Sequence, residues 1–147
     1  MYELLKDLRV PGPIPTAITR PFWTGVQENR FQLQFCNCCE KWVFYPRALC
    51  PHCWSDRLSW REASGIGRIK TFTVVHKPGH PAWTPMAPYA LALIELKEGP
   101  TMLSLLVGVD PDQVMVGMPV KLHMTRVGEL ILPCFEPDRV PTGESHE

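Results

Sequence analysis

Five of the chain's six cysteines fall within residues 36–53, CNCCEKWVFYPRALCPHC. Four of them form two Cys-x-x-Cys pairs, Cys36 with Cys39 and Cys50 with Cys53. Two residues between paired thiols let the chain turn in a tight knuckle that aims both sulfurs at one point. Two such pairs supply four thiolates, the closed tetrahedral set of a structural zinc site, so one Zn2+ per chain is expected. The ten intervening residues are enough for a short hairpin that returns the second knuckle to the first. Trp42, Val43, Phe44 and Tyr45 read as its strand, which Pro46 ends.

Other uses of these thiols fit less well. Disulfides need an oxidising compartment, whereas the N-terminal MYELLKDLRVPGP lacks the apolar segment of a secretory signal. The expectation is a cytoplasmic protein with reduced thiols. A thioredoxin-like redox pair calls for one Cys-x-x-Cys in a βαβ pattern, not two knuckles. Iron is the rival metal, since four thiolates hold it too. Cys38 lies inside the first knuckle and is a substitute ligand on spacing alone. His52 is expected to point away, and Cys134 reads as a small buried apolar residue.

Acidic and basic residues balance at fifteen each, which gives no general drive toward nucleic acid or an anionic membrane. Residues 30–70 are locally basic, with seven cationic side chains against three acidic. Arg47, Arg57, Arg61 and Lys70 in that stretch are candidate phosphate contacts, against the plainer alternative of a solvated polar face. No apolar run is long enough to span a bilayer. Sixteen prolines and ten glycines disfavour a helical bundle and fit short strands joined by turns.

The elements that position the knuckles follow from periodicity. Residues 1–30 read as an N-terminal arm, in which Pro11, Pro13 and Pro15 impose an extended path, followed by a short helix over residues 21–29 with Thr19 as a cap. Phe22 and Trp23 share a face of that helix with Val26, either packed on the ribbon or turned to a partner protein. Residues 31–63 form the zinc ribbon, entered by an alternating strand (Phe31, Leu33 and Phe35 against Gln32 and Gln34) and left by a strand over residues 58–62. Residues 64–137 carry five strands with no helix long enough to cover an open sheet. A closed five-stranded barrel, the OB-fold, resolves their edges. The proline-rich interval 77–88 places Trp83 and Met86 in a loop, either folded over the barrel or docked on another protein. Residues 138–147 are expected to be a disordered tail.

Taken together, these segments resemble the DUF35 family, a rubredoxin-like zinc ribbon followed by an OB-fold. PFWTGVQENRFQLQFC resembles the family's helix and lead-in, CNCCEKWVFYPRALCPHC its ribbon, and SGIGRIKTFTVVH its barrel entry. PYALALIELKEGPTMLSLLVGVDPDQVMVGMPVKL resembles the barrel body. Two departures are the extra Cys38 and Trp54, which stands after the second knuckle in place of a glycine. The resemblance implies a non-catalytic accessory subunit of a thiolase-like enzyme (thiolase, acyltransferase or steroid side-chain aldolase), in some cases paired with a MaoC-type hydratase. It would form a hetero-oligomer and support the handling or channelling of acyl-CoA thioesters. Partner contacts would come from Phe22, Trp23, Trp83 and Met86, and CoA phosphates would meet Arg47, Arg57, Arg61 and Lys70. The alternatives are an OB-fold nucleic-acid-binding module and a rubredoxin-like iron electron carrier. No nucleophile with a base, paired-carboxylate motif or phosphate-binding glycine loop points to an enzyme.

Overall fold

The computed structural model describes residues 1–139. Two antiparallel sheets follow one another along the chain. In the first, β1 (Gln32–Cys36) lies between β2 (Trp42–Val43) and β3 (Leu58–Glu62). Phe35 pairs with Trp42 and with Ser59, so the strand that ends in Cys36 is held from both sides. The second sheet contains β4 (Ile66–Val75), β5 (Tyr89–Leu96), β6 (Thr101–Leu105), β7 (Pro119–Val127) and β8 (Leu130–Pro137), in the order β6-β5-β4-β7-β8. A parallel bridge between Leu106 and Phe135, with Val107 N–H donating to the Phe135 carbonyl at 2.9 Å, brings its two ends together. The result is a nearly closed five-stranded barrel.

Strand β4 begins three residues earlier than its β-branched run suggests. Gly67 lies inside it. A Cβ there would stand 2.7 Å from Ile94 Cγ2 and 2.8 Å from the Glu95 carbonyl, so the close approach of β4 to β5 requires glycine. Strand β8 continues through Pro137, and Asp138 N–H still donates to the Pro119 carbonyl. Of the expected disordered tail, residues 140–147 lie outside the described residues.

Helix α1 (Tyr2–Lys6) and helix α2 (Arg20–Gln27) occupy the N-terminal segment. Thr19 sits at the α2 N-cap, but its hydroxyl turns back to accept from Thr16 N–H at 2.8 Å and makes no cap bond. From α2, Phe22 and Val26 enter a core shared by Phe31 and Leu33 of the first sheet and Ile69, Ile94, Val120 and Phe135 of the barrel. The ribbon and the barrel therefore share one continuous core.

The first twenty residues are more than a loose arm. Leu5 is fully buried and Leu8 nearly so, packed with Met86, Tyr89, Val107 and Val127. Tyr2 donates its hydroxyl to Glu136 at 3.1 Å, and Gly128 N–H donates to the Leu5 carbonyl at 2.9 Å. Gly128 has φ +62°, and a Cβ there would stand 2.1 Å from the Leu8 carbonyl oxygen. Proline spacing shows that this segment is extended; it does not show what the leucines before it rest on. Leu5→Ala should destabilise the protein by about 2–5 kcal/mol in equilibrium denaturation, as for a leucine removed from a packed core.

Candidate metal centre

Strand β1 delivers Cys36 at its end, and the chain then reverses so that Glu40 N–H donates to the Cys36 carbonyl at 2.8 Å. The second knuckle repeats this turn, with Trp54 N–H donating to the Cys50 carbonyl at 2.8 Å. Within the knuckles, the N–H groups of Cys38 and Cys39 point at Cys36 Sγ (3.4 and 3.5 Å), and His52 N–H points at Cys50 Sγ (3.3 Å). Each turn closes on a residue with left-handed backbone, Glu40 at φ +60° and Trp54 at φ +66°. The knuckle geometry sets that conformation even where the side chain is a tryptophan.

All four sulfurs of Cys36, Cys39, Cys50 and Cys53 lie within 4.8 Å of one another. Cys36 Sγ is 3.6 Å from Cys53 Sγ, and Cys39 Sγ is 3.7 Å from Cys50 Sγ. A tetrahedral zinc with bonds of about 2.3 Å has sulfur–sulfur edges of about 3.8 Å, so the donor set fits that ion in number, type and spacing. Cys36 and Cys50 are fully buried and packed against Val43, which keeps much of the centre dry. The Cys39 N–H lowers the Cys36 thiol to about 6, with burial opposing and the Cys38 N–H adding to the effect. At Cys53 the Ser55 N–H pulls down, but burial and the neighbouring thiols outweigh it and push the group up to about 12. Four crowded thiols resist ionising together, and a dication at their centre removes that resistance.

Cys38 and His52 are exposed and outside this cluster. Cys134 is buried in the barrel region, its thiol raised to about 11 by burial against a lowering hydrogen bond from Thr125.

Gln34 is a residue that alternation misassigns. It reads as solvent-facing, yet it is 6% exposed. Its Nε2 donates to the Arg47 carbonyl at 2.9 Å and its Oε1 accepts from Arg47 N–H at 2.8 Å. This two-point clamp holds the loop that returns Cys50 to Cys36. Phe35, expected to be covered by core, is instead half-buried beneath the Arg61 guanidinium, 3.8 Å from the ring centre.

Two of the four expected partner contacts are corrected by burial. Phe22 is 1% exposed, at the centre of an aromatic cluster with Phe31, Phe44 and Tyr45. Met86 is 6% exposed and fills the second core beneath the 3₁₀ turn Pro81–Met86. Neither can reach a partner. Trp23 and Trp83 are half-buried, the first donating its indole N–H to Tyr45 Oη at 2.9 Å, the second resting on Tyr89. The four expected phosphate contacts do not line one site. Arg47 lines a cleft of about 560 Å³ between the ribbon and residues 98–101, together with Lys41, Trp42 and His52. Arg57, Arg61 and Lys70 are exposed but do not line it.

Residues 23–59 match the family described as "ChsH2, rubredoxin-like zinc ribbon domain", and residues 60–125 match "ChsH2, C-terminal OB-fold domain". A probable enoyl-CoA hydratase alpha subunit of Thermomonospora curvata is 40% identical over 144 residues, 95% of this chain and 43% of that protein. The chain thus spans less than half the length of that relative. A DUF35 domain-containing scaffold protein of Pyrococcus furiosus is 31% identical over 116 residues, 78% of this chain and 83% of that protein. Among solved structures, a chain described as "Ltp2-ChsH2(DUF35) aldolase" superposes with a TM-score of 0.77 at 35% identity, covering 86% of this chain and 98% of that one. A ribbon and barrel joined through one core, matched over 83% and 98% of the length of two such relatives, place this chain in the DUF35 family.

Proposed function

We propose that the chain is a non-catalytic accessory subunit. It carries one zinc ion on Cys36, Cys39, Cys50 and Cys53, docks on a thiolase-like enzyme, and supports the handling of acyl-CoA thioesters. The observation that carries this reading is the likeness, over 98% of its length, to the DUF35 chain of an aldolase whose description names a second protein, Ltp2. The hydratase-subunit relative supports an acyl-CoA setting, and a MaoC-type hydratase is the second candidate partner. Reduced thiols at the metal centre belong with a cytoplasmic location. Among the described residues no helix is long and apolar enough to cross a membrane.

The barrel surface favours a protein partner over a nucleic acid. OB-folds bind oligonucleotides on the face of their second and third strands, here β5 and β6. On that face Leu93 pairs directly with Leu103, and they are 36% and 62% exposed. Beside them a groove of about 370 Å³ is lined by Trp23, Tyr45, Leu105 and Pro133. The groove has aromatic rings but no cation among its lining residues, which suits an apolar protein surface, whereas single strands call for cations beside the stacking rings. The cleft holding Lys41, Arg47 and His52 is the place on this chain best suited to CoA phosphates.

The purified protein should be colourless and contain one zinc per chain by elemental analysis; a red protein with a thiolate-to-iron band would replace zinc by iron. Protons compete with the metal for thiolates, so zinc should be retained at neutral pH and released as pH falls, read with a chromogenic chelator. Cys50→Ala should abolish stoichiometric zinc binding. Because Phe22 and Val26 tie the ribbon to the barrel, it should also lower the thermal transition of the whole chain. Co-expression with the thiolase-like enzyme of the same organism should yield one hetero-oligomer by light scattering. Separate elution of the two would sink the accessory-subunit reading.

A further inference from the structure

Lys41 and Arg47 line the cleft of about 560 Å³ between the ribbon and residues 98–101. Their backbones are fixed. The Lys41 carbonyl accepts from Cys36 N–H at 2.9 Å, and the Arg47 main chain is held by the Gln34 clamp. Their side chains are not engaged: among the described residues, neither makes a hydrogen bond or an ion pair. Two carboxylates, Glu40 and Glu98, line the same cleft, so opposite charges share it without pairing. Glu98 turns its Oε2 to Ser64 N–H at 2.7 Å, and its Oε1 is closed to solvent, which withdraws that carboxylate from the cleft.

An aromatic ring completes this wall. Trp42 follows Lys41 in the chain and is half-buried, set at 76° to Phe35 with ring centres 5.4 Å apart. Across the cleft lies the turn between β5 and β6, where a Cβ on Gly99 would meet nothing within 4 Å. No side chain at that position fills the space, whose volume is that of a small-molecule site, about 300–1,000 Å³. A bare phosphate would use the cations and leave the ring idle, and an acyl chain would do the reverse. A nucleotide uses both, since guanidinium and ammonium groups meet phosphate oxygens while the base stacks on an aromatic face.

We infer that this cleft binds the nucleotide end of a coenzyme A thioester, with phosphates on Lys41 and Arg47 and the purine stacked on Trp42. The inference rests on the acyl-CoA reading and adds to it how this chain recognises the nucleotide. The ribbon supplies the ring and both cations, and the barrel supplies the facing turn, so the ligand lies between the two sheets. The end of the molecule held here is remote from its thioester, in keeping with a chain that positions a substrate without reacting with it.

Calorimetry of the zinc-loaded chain would use coenzyme A, pantetheine and inorganic pyrophosphate as probes. Coenzyme A should bind, pyrophosphate should bind more weakly, and pantetheine, which lacks the nucleotide, should not bind. Arg47→Gln and Lys41→Gln keep the backbone bonds and should each weaken coenzyme A about tenfold. Arg57→Gln and Lys70→Gln, outside the cleft, should stay within about twofold of wild type. Trp42→Leu should weaken coenzyme A about tenfold and leave pyrophosphate unchanged, a contrast that a general loss of structure would not give. Zinc content and thermal midpoint would be read for every variant, and the two cation variants decide the matter if Trp42→Leu loses its zinc. Equal effects of the cleft and control cations would overturn the site, as would a single-stranded oligonucleotide that binds more tightly than coenzyme A. So would a wild-type chain that forms the hetero-oligomer yet binds no coenzyme A, a result that spares the accessory-subunit reading.

Discussion

The sulfurs of Cys36, Cys39, Cys50 and Cys53 lie within 4.8 Å of one another, with two of the cysteines fully buried. Such crowding is electrostatically unfavourable for thiolates alone and favourable around a dication, so the ribbon's order and its metal are one question. Val43 and Leu58 are the main apolar side chains packed locally against the cysteines, too few to hold the two knuckles together by burial. Metal–thiolate bonds would supply what that small core lacks. The backbone N–H groups aimed at Cys36 and Cys50 hold those sulfurs in place, and the Gln34 clamp on Arg47 closes the loop between the knuckles.

Order at the four cysteines passes to the barrel through α2. Phe22 and Val26 touch both sheets, so the ribbon is held against the barrel by a continuous apolar core instead of swinging on a linker. Closure at Leu106 and Phe135, together with the α1 leucines packed beneath the second core, stiffens the barrel in turn. A rigid body of this kind suits a subunit that presents surfaces. It exposes Trp54 on the ribbon and the Leu93–Leu103 pair on the barrel.

Legibility varied with how local the cause was. Strand β3 spans the residues 58–62 expected of it, and β5 spans the apolar run YALALIEL, which turn residues bound on both sides. In β4 the glycine at position 67 serves a close strand approach, which depends on the neighbouring strand and not on local sequence. For Phe22 and Met86 the sequence left cover by this chain and docking on a partner both open, for a related reason. Periodicity and composition identify an apolar side chain that needs cover, but they do not say whether the cover comes from the same chain. Gln34 inverted the rule that polar residues alternate outward, since its partner is a backbone segment thirteen residues away.

The sequence alone determined the thiol pairs, the strand-rich region after them and the absence of a long apolar helix, because each depends on residue types within a short span. Tertiary structure decided the rest. It converged four sulfurs from two separate turns, buried Phe22 in a core shared by two sheets, seated α1 beneath the barrel, and split the four expected phosphate-binding cations among different surroundings. The physical reason is that contacts between distant segments depend on how sheets close and helices pack, and no local pattern encodes that geometry.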